Sequence, residues 1–448
     1  MTHLAEAQGD DPQTIRTEHC PVHSILLSSW YLPTVIALAF AIRLCWILYF
    51  HPKPVSDFAF YFRGAESIVR GHGYTHFGRF VTAYFPIGYP LFLAMLFWVF
   101  GVSITVALTA NLVLSVVSLV FAYWIARELF RSEITGRFFL LLLAAYPNNI
   151  AYTSLVGVEI VHLFLLFLGT ALLLPSISIK GGLYPWRLLT AGLVFGLATL
   201  VKIQTLLLPA FLLLLFPQFS WERRSLIERV KKIGILYAVL IAVLSPWVIR
   251  NYILYNDFVL SNNDGVNLYI GNGPDANGTW VTVSWFGAEK NTLDEYKINQ
   301  RARSEAIKYI KAHPLQTLML MPAKLVSLFS HGDGVYWNNL GTEMKLKSAR
   351  RILRLVDKLN TSYEFLMIAF LIASLVFGCW KRLRNGKGNG WPLMGIAVIV
   401  YFVSIYLVYY GSPRYHFPII PWVIMYSAAL LSSLYIGYVA NPQKAHSL

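Results

Sequence analysis

The sequence predicts an all-α polytopic membrane protein with about ten transmembrane helices, additional interfacial helices and a mixed extracytoplasmic loop region. Of its 448 residues, 56% are hydrophobic and only 13% are charged, whereas soluble proteins carry about 25% charged residues. Apolar runs of roughly 20 residues recur along the chain, and the mean hydropathy is +0.55. The polar tail at 1–24 lacks the basic start and short apolar core of a signal peptide, so we expect the first apolar run to remain as a helix.

The apolar runs lie near 30–50, 87–100, 103–126, 138–150, 160–175, 187–201, 203–217, 233–249, 362–380, 391–410 and 415–438. If the run at 87–100 rests in the membrane interface, every short loop that is rich in lysine and arginine falls on one side of the bilayer. This arrangement satisfies the positive-inside rule, so about ten spans with both termini in the cytoplasm are expected. The run at 87–100 is also short and begins with Pro86-Ile-Gly-Tyr-Pro90, which favours the interface.

The net charge of +15 is explained by these cytoplasmic loops and does not indicate a nucleic-acid partner. The three cysteines are Cys20, Cys45 and Cys379. They lie in the N-terminal tail or in and beside apolar runs, so no disulfide framework is expected.

The predicted orientation divides the chain into three parts. These are an N-terminal transmembrane catalytic module at 1–250 with a first outer loop at 51–102, an extracytoplasmic region at 251–361, and C-terminal transmembrane helices at 362–448. The extracytoplasmic region is expected to contain helices around 293–311 and 315–330. The basic amphipathic stretch at 345–358 predicts a further helix that lies in the interface and faces anionic phosphates.

Acidic residues are scarce in the spans and short outer loops, where Asp57, Glu66 and Glu159 occur. Asp57 follows the first span, and Glu159 lies where the chain re-enters the bilayer. A carboxylate at that depth is expensive, which favours a functional role, although Glu159 could instead cap its helix through the helix dipole. His162 lies three residues further on the same helix face. It could join a metal site with Glu159 or form a hydrogen bond inside the bundle.

Three cations, Lys202, Arg250 and Arg414, are expected at helix ends on the same outer face as these acids. Together they suit an anionic lipid headgroup, since arginine can hold a phosphate through two hydrogen bonds. The alternative is that these side chains extend to the interface without binding a ligand. Arg63 and Tyr84, in the aromatic and arginine-rich first outer loop, complete the predicted set of residues that bind substrate or lipid phosphate.

A carboxylate that can accept a proton from a hydroxyl group, facing cations that stabilise a departing phosphate, fits group transfer from a lipid phosphate. The spacing alone does not identify the transferred group. A transporter or flippase of a lipid-linked sugar is the alternative, but no inverted repeat or polar site near the midplane of a span is visible. A purely structural role would leave Glu159 and Lys202 unexplained.

Several motifs follow one another in an order that resembles a known superfamily. They include Asp57 after the first span, FPIGYPLFLAMLFWVFG at 85–101, Arg127–Phe130, Glu159 at the re-entry, Leu200-Val-Lys202, and the stretches SPWVIRNY, GVNLYIGNGPDANG and PRYHFPIIP. The chain resembles the GT-C superfamily of integral-membrane glycosyltransferases. Within it, the motifs resemble the clan of dolichyl-phosphate-mannose–protein mannosyltransferases and aminoarabinose transferases.

The resemblance implies an inverting transfer of a sugar from a polyprenyl-phosphate carrier on the periplasmic, exterior or lumenal side of the inner or plasma membrane, or of the endoplasmic reticulum of a eukaryote. It implies that Asp57 is the catalytic base or a metal ligand, that Glu159 is its partner, and that Lys202 and Arg250 hold the carrier phosphate. Whether a divalent metal takes part is left open; its ligands would be Asp57, Glu159 and His162. The expected partners are the donor and membrane lipid.

Two departures from the pattern bear on the acceptor and the metal. Phe58 follows Asp57 where protein mannosyltransferases have a second acid, which weakens the expectation of a protein acceptor. Tyr84-Phe85-Pro86-Ile87 replaces the Glu-Lys-Pro-Pro of aminoarabinose transferases and removes one expected carboxylate. The acceptor therefore stays open among a glycolipid, a polysaccharide and a protein.

Overall fold

The structure is a computed structural model that describes residues 21–50, 52–177, 184–215, 223–283, 291–330, 332–341, 347–385 and 393–440. The residues in these ranges form α-helices and short 3-10 turns joined by loops. Their one β pairing is an isolated antiparallel bridge between Thr75 and Val81. The predicted all-α fold class is therefore confirmed for the described residues.

The helices of the N-terminal part, up to the end of the fourth long apolar helix, are α1 (Pro21–Leu27), α2 (Tyr31–Tyr49), α3 (Ser56–Val69), α4 (Gly88–Phe100), α5 (Ile104–Phe130), α6 (Glu133–Ala144), α7 (Pro147–Tyr152), α8 (Val158–Ile177), α9 (Pro185–Val201), α10 (Leu208–Leu215) and α11 (Arg223–Tyr255). The helices that follow are α12 (Asp264–Asn272), α13 (Thr292–Ala312), α14 (Pro314–Met319), α15 (Met321–Leu328), α16 (Gly334–Gly341), α17 (Lys347–Asn385), α18 (Met394–Val408) and α19 (Ile420–Ala440). Short 3-10 turns lie at Ile203–Thr205 and Pro413–His416.

Six of these helices, α2, α5, α8, α11, α17 and α19, are long and apolar enough to cross a membrane. Four shorter apolar helices occur at Gly88–Phe100, Pro185–Val201, Ile203–Leu214 and Met394–Val408. The protein is therefore an integral membrane protein. The number of about ten spans stays a prediction, because the shorter helices do not by length alone reach across a bilayer.

The run predicted at 138–150 is not one helix, and this prediction was wrong. Helix α6 ends at Ala144 and α7 begins at Pro147, because proline lacks the amide hydrogen that a continuing helix needs but suits the first turn of a new one. The buried Arg43 of α2 holds this break. Its Nη1 donates to the carbonyl of Ala144 at 3.1 Å, and its Nη2 donates to Asn149 Oδ1 at 2.8 Å.

The basic stretch predicted as a separate interfacial helix at 345–358 also differs from expectation. Helix α17 runs without a break from Lys347 to Asn385, so the basic stretch and the apolar span that follows it are one element. The predicted boundary at 361 falls inside α17, and the boundary at 250 falls inside α11. The three-part division of the chain stays a prediction.

The central helices α9 and α11 approach each other closely along a pair of glycines. A Cβ atom on Gly192 would lie 2.4 Å from the carbonyl oxygen of Leu236, and one on Gly196 would lie 2.8 Å from Cβ of Val243. Glycines four residues apart form one flat stripe on a helix, which lets a neighbouring backbone come near in the absence of water. The two glycines therefore allow α9 to pack closely against α11.

A third glycine brings α4 against the end of α9. A Cβ atom on Gly88 would lie 2.4 Å from the carbonyl carbon of Leu200 and 2.6 Å from the amide nitrogen of Val201. The motif Pro86-Ile-Gly-Tyr-Pro90 therefore begins α4 in direct backbone contact with the last turn of α9. Lys202 follows that turn immediately.

The long outer segment is tied to the first outer loop by a buried acid that sequence analysis did not single out. Glu295 of α13 accepts hydrogen bonds from the Thr82 hydroxyl group, from the amide of Ala83 at 3.0 Å and from Asn262 Nδ2 at 3.1 Å. Its side chain is fully buried. Because every donor satisfies the same carboxylate, α13 and the loop before α4 are held as one unit.

Candidate active site

An arginine between two acids forms the centre of the candidate site. Arg414 Nε donates to Glu159 Oε1 at 2.6 Å, and Arg414 Nη1 donates to Asp57 Oδ2 at 2.7 Å. Asp57 lies in the first turn of α3, Glu159 in the first turn of α8, and Arg414 in the 3-10 turn that precedes α19. Three charged residues that are far apart in the sequence are thus in direct contact.

Lys202 supplies a second cation to this cluster. Helix α9 ends at Val201, and the extended backbone of Lys202 turns its side chain toward α8. Its Nζ lies 3.3 Å from Glu159 Oε1, the same oxygen that accepts from Arg414. Four residues that were singled out in the sequence, Asp57, Glu159, Lys202 and Arg414, therefore come together.

The four side chains differ sharply in their contact with solvent. The Glu159 side chain is 0% exposed and those of Lys202 and Arg414 are 11% exposed, while that of Asp57 is 39% exposed. Within the described part of the chain, Asp57 Oδ1 receives no hydrogen bond. Asp57 is therefore the carboxylate of this cluster that an incoming hydroxyl group can reach.

Aromatic side chains surround the charges. The guanidinium carbon of Arg414 lies 5.0 Å from the centre of the Phe58 ring. Tyr89 and Tyr406 are buried, and among the described residues neither of their hydroxyl groups has a hydrogen-bond partner. A cation held against an aromatic face in a largely dry pocket interacts more strongly with nearby charges than it would in water.

A third acid beside the cluster was missed in the sequence. Asp333 accepts hydrogen bonds from the Tyr152 hydroxyl at 2.6 Å and from Trp337 Nε1 at 2.7 Å, and the Trp337 ring packs edge-on against Phe58 at 5.3 Å. Burial raises the pKa of the Asp333 carboxyl, although the hydrogen bond from Tyr152 and the charge of Arg414 oppose the shift. The local signal was a lone acid between two glycines.

The turn that carries Arg414 is anchored by a second buried acid. His416 Nε2 lies 3.3 Å from Glu364 Oε1, and His416 Nδ1 is 2.8 Å from the carbonyl oxygen of Leu328. The same Glu364 oxygen accepts from the Tyr146 hydroxyl at 2.7 Å. Burial acts to lower the pKa of His416, but the facing carboxylate outweighs it and the pKa is raised. The ion pair fixes the backbone two residues from Arg414.

The other predicted site residues make their described contacts elsewhere. The guanidinium of Arg250 stacks over Trp247 at 4.6 Å, and that of Arg63 lies 5.6 Å from the centre of the Phe77 ring. Tyr84 donates its backbone amide to Thr82 Oγ1 at 3.0 Å. His162 Nε2 lies 2.7 Å from Thr205 Oγ1. Their assignment to the substrate phosphate, or to a metal for His162, stays a prediction.

The candidate metal ligands do not fit a metal ion in this arrangement. Among the residues that the structure describes, no group of three or more His, Cys, Asp and Glu side chains could hold one. Arg414 occupies the space between Asp57 and Glu159, and His162 is engaged with Thr205.

Comparison with known proteins places this fold in a class. Over 92% of this chain and 51% of the other, the structure superposes on an oligosaccharyltransferase of Archaeoglobus fulgidus, solved in complex with Zn and sulfate, with 13% identity and a TM-score of 0.53. The chain thus spans about half the length of that protein. The fold is similar to that of this oligosaccharyltransferase, in agreement with the resemblance noted in the sequence.

Within that class, residues 85–249 match the sequence model of the family described as dolichyl-phosphate-mannose-protein mannosyltransferase. Further matches are to ArnT from Cupriavidus metallidurans, bound to undecaprenyl phosphate and in the apo state. They have 13% and 14% identity and TM-scores of 0.45 and 0.44, and each covers 92% of this chain and 78% or 77% of the other. No curated protein matches the sequence. The family match therefore covers the part of the chain from just before α4 into the second half of α11, and the similarity of fold extends over 92% of the chain.

Proposed function

We propose that this protein transfers a sugar from a polyprenyl-phosphate donor to a hydroxyl-bearing acceptor at the extracytoplasmic face of the membrane, with inversion at the anomeric carbon. The observation that carries the proposal is the contact between a partly exposed carboxylate, Asp57, and the buried cluster of Arg414, Glu159 and Lys202. The name of the matching family supports a lipid-phosphate-linked sugar as the donor.

In this reaction the acceptor oxygen attacks the anomeric carbon and forms the new glycosidic bond. The bond between that carbon and the phosphate oxygen breaks, and its electron pair stays with the departing lipid phosphate. The acceptor proton passes to Asp57, whose Oδ2 is held by Arg414 at 2.7 Å and whose side chain is partly exposed. A carboxylate fixed in this way acts as a general base without having to reorient.

The departing phosphate needs positive charge, and Lys202 and Arg414 supply it. Both side chains are fixed by Glu159, so they are oriented before the reaction begins and need little reorganisation as charge develops on the phosphate. Glu159 itself is fully buried and contacts both cations. It therefore acts by holding the cations in position, and Asp57 acts on the acceptor.

The predicted orientation of the chain in the membrane supports an extracytoplasmic location for the site. Helices α8 and α19 begin beside the cluster and α9 ends beside it. The loops rich in lysine and arginine are predicted at the opposite helix ends, which favours a cytoplasmic location for those loops and for both termini. The site then faces the compartment outside the cytoplasm, where a glycolipid, a polysaccharide or a protein could serve as acceptor.

The test is turnover of radiolabelled polyprenyl-phosphate sugars, offered one at a time to the purified protein in nanodiscs. Wild type is expected to release the carrier phosphate from one donor. Asp57→Asn keeps the shape of the side chain but removes the base, so release should fall by about 100-fold or more. Arg70→Ala, which removes an exposed arginine of the same loop that pairs with Glu66, is the matched control and should keep full activity.

Equal turnover by wild type and Asp57→Asn would contradict the role of this residue. If no donor is turned over while a labelled lipid-linked sugar crosses the bilayer of a proteoliposome, the protein is a flippase and the proposed transfer is wrong.

A further inference from the structure

We propose that the Arg414 guanidinium is the resident cation of this site, in the position between Asp57 and Glu159 that a divalent metal would have to occupy, so that the protein works without a bound divalent metal. The inference concerns the same site as the proposed function. Only its turnover test rests on the proposed function; its measurements of metal content and unfolding temperature do not. The residues concerned are those that the resemblance offers as metal ligands.

The first argument is geometric. The guanidinium uses two different N–H groups on two different acids, with Nε directed at Glu159 and Nη1 at Asp57. The distances of 2.6 Å and 2.7 Å are those of strong charge-assisted hydrogen bonds. A metal ion bound to these same two oxygens, Glu159 Oε1 and Asp57 Oδ2, would take the lone pairs that Arg414 now fills, so at these oxygens the two cations exclude each other.

The second argument is the balance of charge. Asp57 and Glu159 contribute two negative charges, and Arg414 and Lys202 contribute two positive charges in direct contact with them. Before the donor phosphate binds, a divalent ion added to this set would leave an excess of two positive charges. In a site enclosed by Phe58 and buried tyrosines, uncompensated charge is costly to desolvate.

Asp333, the other acid close by, does not offset that excess. Its two carboxylate oxygens accept hydrogen bonds from Tyr152 and Trp337. A metal would have to break both hydrogen bonds to use Asp333 as a ligand. Asp333 therefore provides no free oxygen for a metal beside Arg414.

The third argument is that Arg414 is not free to move aside. Pro413 opens its 3-10 turn, and the neighbouring Tyr415 donates its hydroxyl to Tyr410 at 2.7 Å. His416 is fixed by Glu364 and by the carbonyl of Leu328. The Arg414 side chain packs over the Phe58 ring, and the residues beside it in the chain are held by these contacts. Its position in the site is therefore fixed.

The first test measures metal content and unfolding temperature, which need no turnover. The purified wild type in nanodiscs is first analysed for bound metals by mass spectrometry. It is then dialysed against EDTA and unfolded with and without added Mg²⁺, Mn²⁺ or Zn²⁺. We expect no stoichiometric metal and no change in unfolding temperature. About one equivalent of metal per chain, or stabilisation of the wild type by one of these ions, would overturn the proposal.

The second test exchanges the cation. In Arg414→Ala the two carboxylates lose the charge between them, so the unfolding temperature should fall and an added divalent ion should restore part of it, because an ion that binds only the folded state stabilises it. The double variant Asp57→Asn with Arg414→Ala should lose this gain. Ion-dependent stabilisation of Arg70→Ala, the surface control, would show that the effect is not specific to the site and would contradict the proposal.

The third measurement separates this inference from the proposed function. If a donor is turned over, its turnover by wild type should be unchanged in EDTA, and loss of turnover in EDTA with recovery on adding metal would overturn the inference alone. If no donor is turned over, the proposed function fails, while the metal content and the unfolding temperatures still decide the role of Arg414. An Arg414→Ala chain that does not fold leaves the decision to the wild-type metal content.

Discussion

At the scale of single residues, Glu159 has the most demanding environment in the candidate site. Its carboxylate is fully buried, and one oxygen receives both Arg414 and Lys202. The other oxygen has no hydrogen-bond partner among the described residues. Removing charges from water is expensive, and each member of such a group depends on the others for compensation. The charges of Glu159, Arg414 and Lys202 are therefore tolerated in this buried site together, and removal of any one of them should destabilise the folded protein.

We predict that Glu159→Gln destabilises the folded protein by about 3–5 kcal/mol, because it leaves two cations facing one carboxylate in a buried site. The free energy of unfolding would be measured by denaturant titration in mixed micelles. Glu66→Gln is the control, since Glu66 pairs with the exposed Arg70 and such surface pairs contribute about 0–1 kcal/mol. Equal losses in the two variants would contradict the mutual dependence of the buried charges.

The sequence allowed prediction of the charged residues of the site where an apolar run made them conspicuous. Asp57, Glu159, Lys202 and Arg414 all stand at the ends of such runs. Asp333 did not stand out in the same way, because it belongs to the long outer segment at 251–361, where charged residues occur throughout. Arg250 also stood out, but the indole of Trp247 beside it provides a local partner that the sequence pattern does not distinguish from a ligand.

At the scale of secondary-structure elements, the close packing of α4 on α9 positions Lys202. The absence of a side chain at Gly88 allows the first turn of α4 to touch the backbone of Leu200 and Val201. Tyr89, the next residue, is fully buried beside the cluster. The interfacial location predicted for α4 stays a prediction, but the helix has a defined role in supporting the last turn of α9.

We expect Gly88→Ala to displace α4 from α9, because its Cβ atom would overlap backbone atoms that cannot rotate away. Overpacking of this kind costs about 1–3 kcal/mol, and the displacement of Lys202 should lower donor turnover as well. Thermal unfolding and turnover would both be measured. Gly234→Ala on α11 is the matched control, since its added Cβ would meet no atom within 4 Å. A fully active and stable Gly88→Ala chain would show that this contact does not set the site.

Helices were easier to predict than their ends. The apolar runs marked nearly every long helix because burial in lipid requires about 20 apolar residues in a row. The break at Pro147 and the continuity of α17 depend on other forces. The break at Pro147 is supported by hydrogen bonds from Arg43, which lies on a different helix. In α17, the basic stretch and the apolar span form one unbroken helix. The break at Pro147 therefore depends on contacts between distant parts of the chain, and the continuity of α17 joins two stretches of different composition; a short stretch of sequence contains neither.

At the scale of the whole molecule, the long outer segment at 251–361 forms hydrogen bonds with the chain just before Arg414. Lys324 Nζ donates to Asn272 Oδ1 at 2.8 Å and to the carbonyl of Leu407 at 3.0 Å, near the end of α18. The amide of Gly411 donates to the carbonyl of Gly278 at 2.9 Å. The outer segment therefore holds the backbone that leads into the 3-10 turn at Pro413–His416.

The burial of Lys324 in this contact predicts that the free energy of unfolding depends on pH. Burial lowers the pKa of Lys324 from 10.5 to about 8, so between these values the folded state binds fewer protons than the unfolded state. The free energy of unfolding contributed by Lys324 should therefore rise as the pH increases from 8 to 10.5. Denaturation midpoints of wild type and Lys324→Met would be compared across this range.

The difference between wild type and Lys324→Met should grow in favour of wild type as the pH rises. Lys308→Met, which removes an exposed lysine of α13, should follow the wild-type curve. Parallel curves for all three proteins would show that Lys324 is not titrating in a buried place.

The order in which the charged residues occur along the chain has a consequence for biogenesis. Asp57, Glu159 and Lys202 are synthesised well before Arg414, which immediately precedes helix α19. Until that helix inserts, the nascent protein contains two acids compensated by a single lysine. Arg414 therefore completes the charge balance of the site late in synthesis, and a chain that stalls before Arg414 is an intermediate with unbalanced charge in its membrane-embedded part.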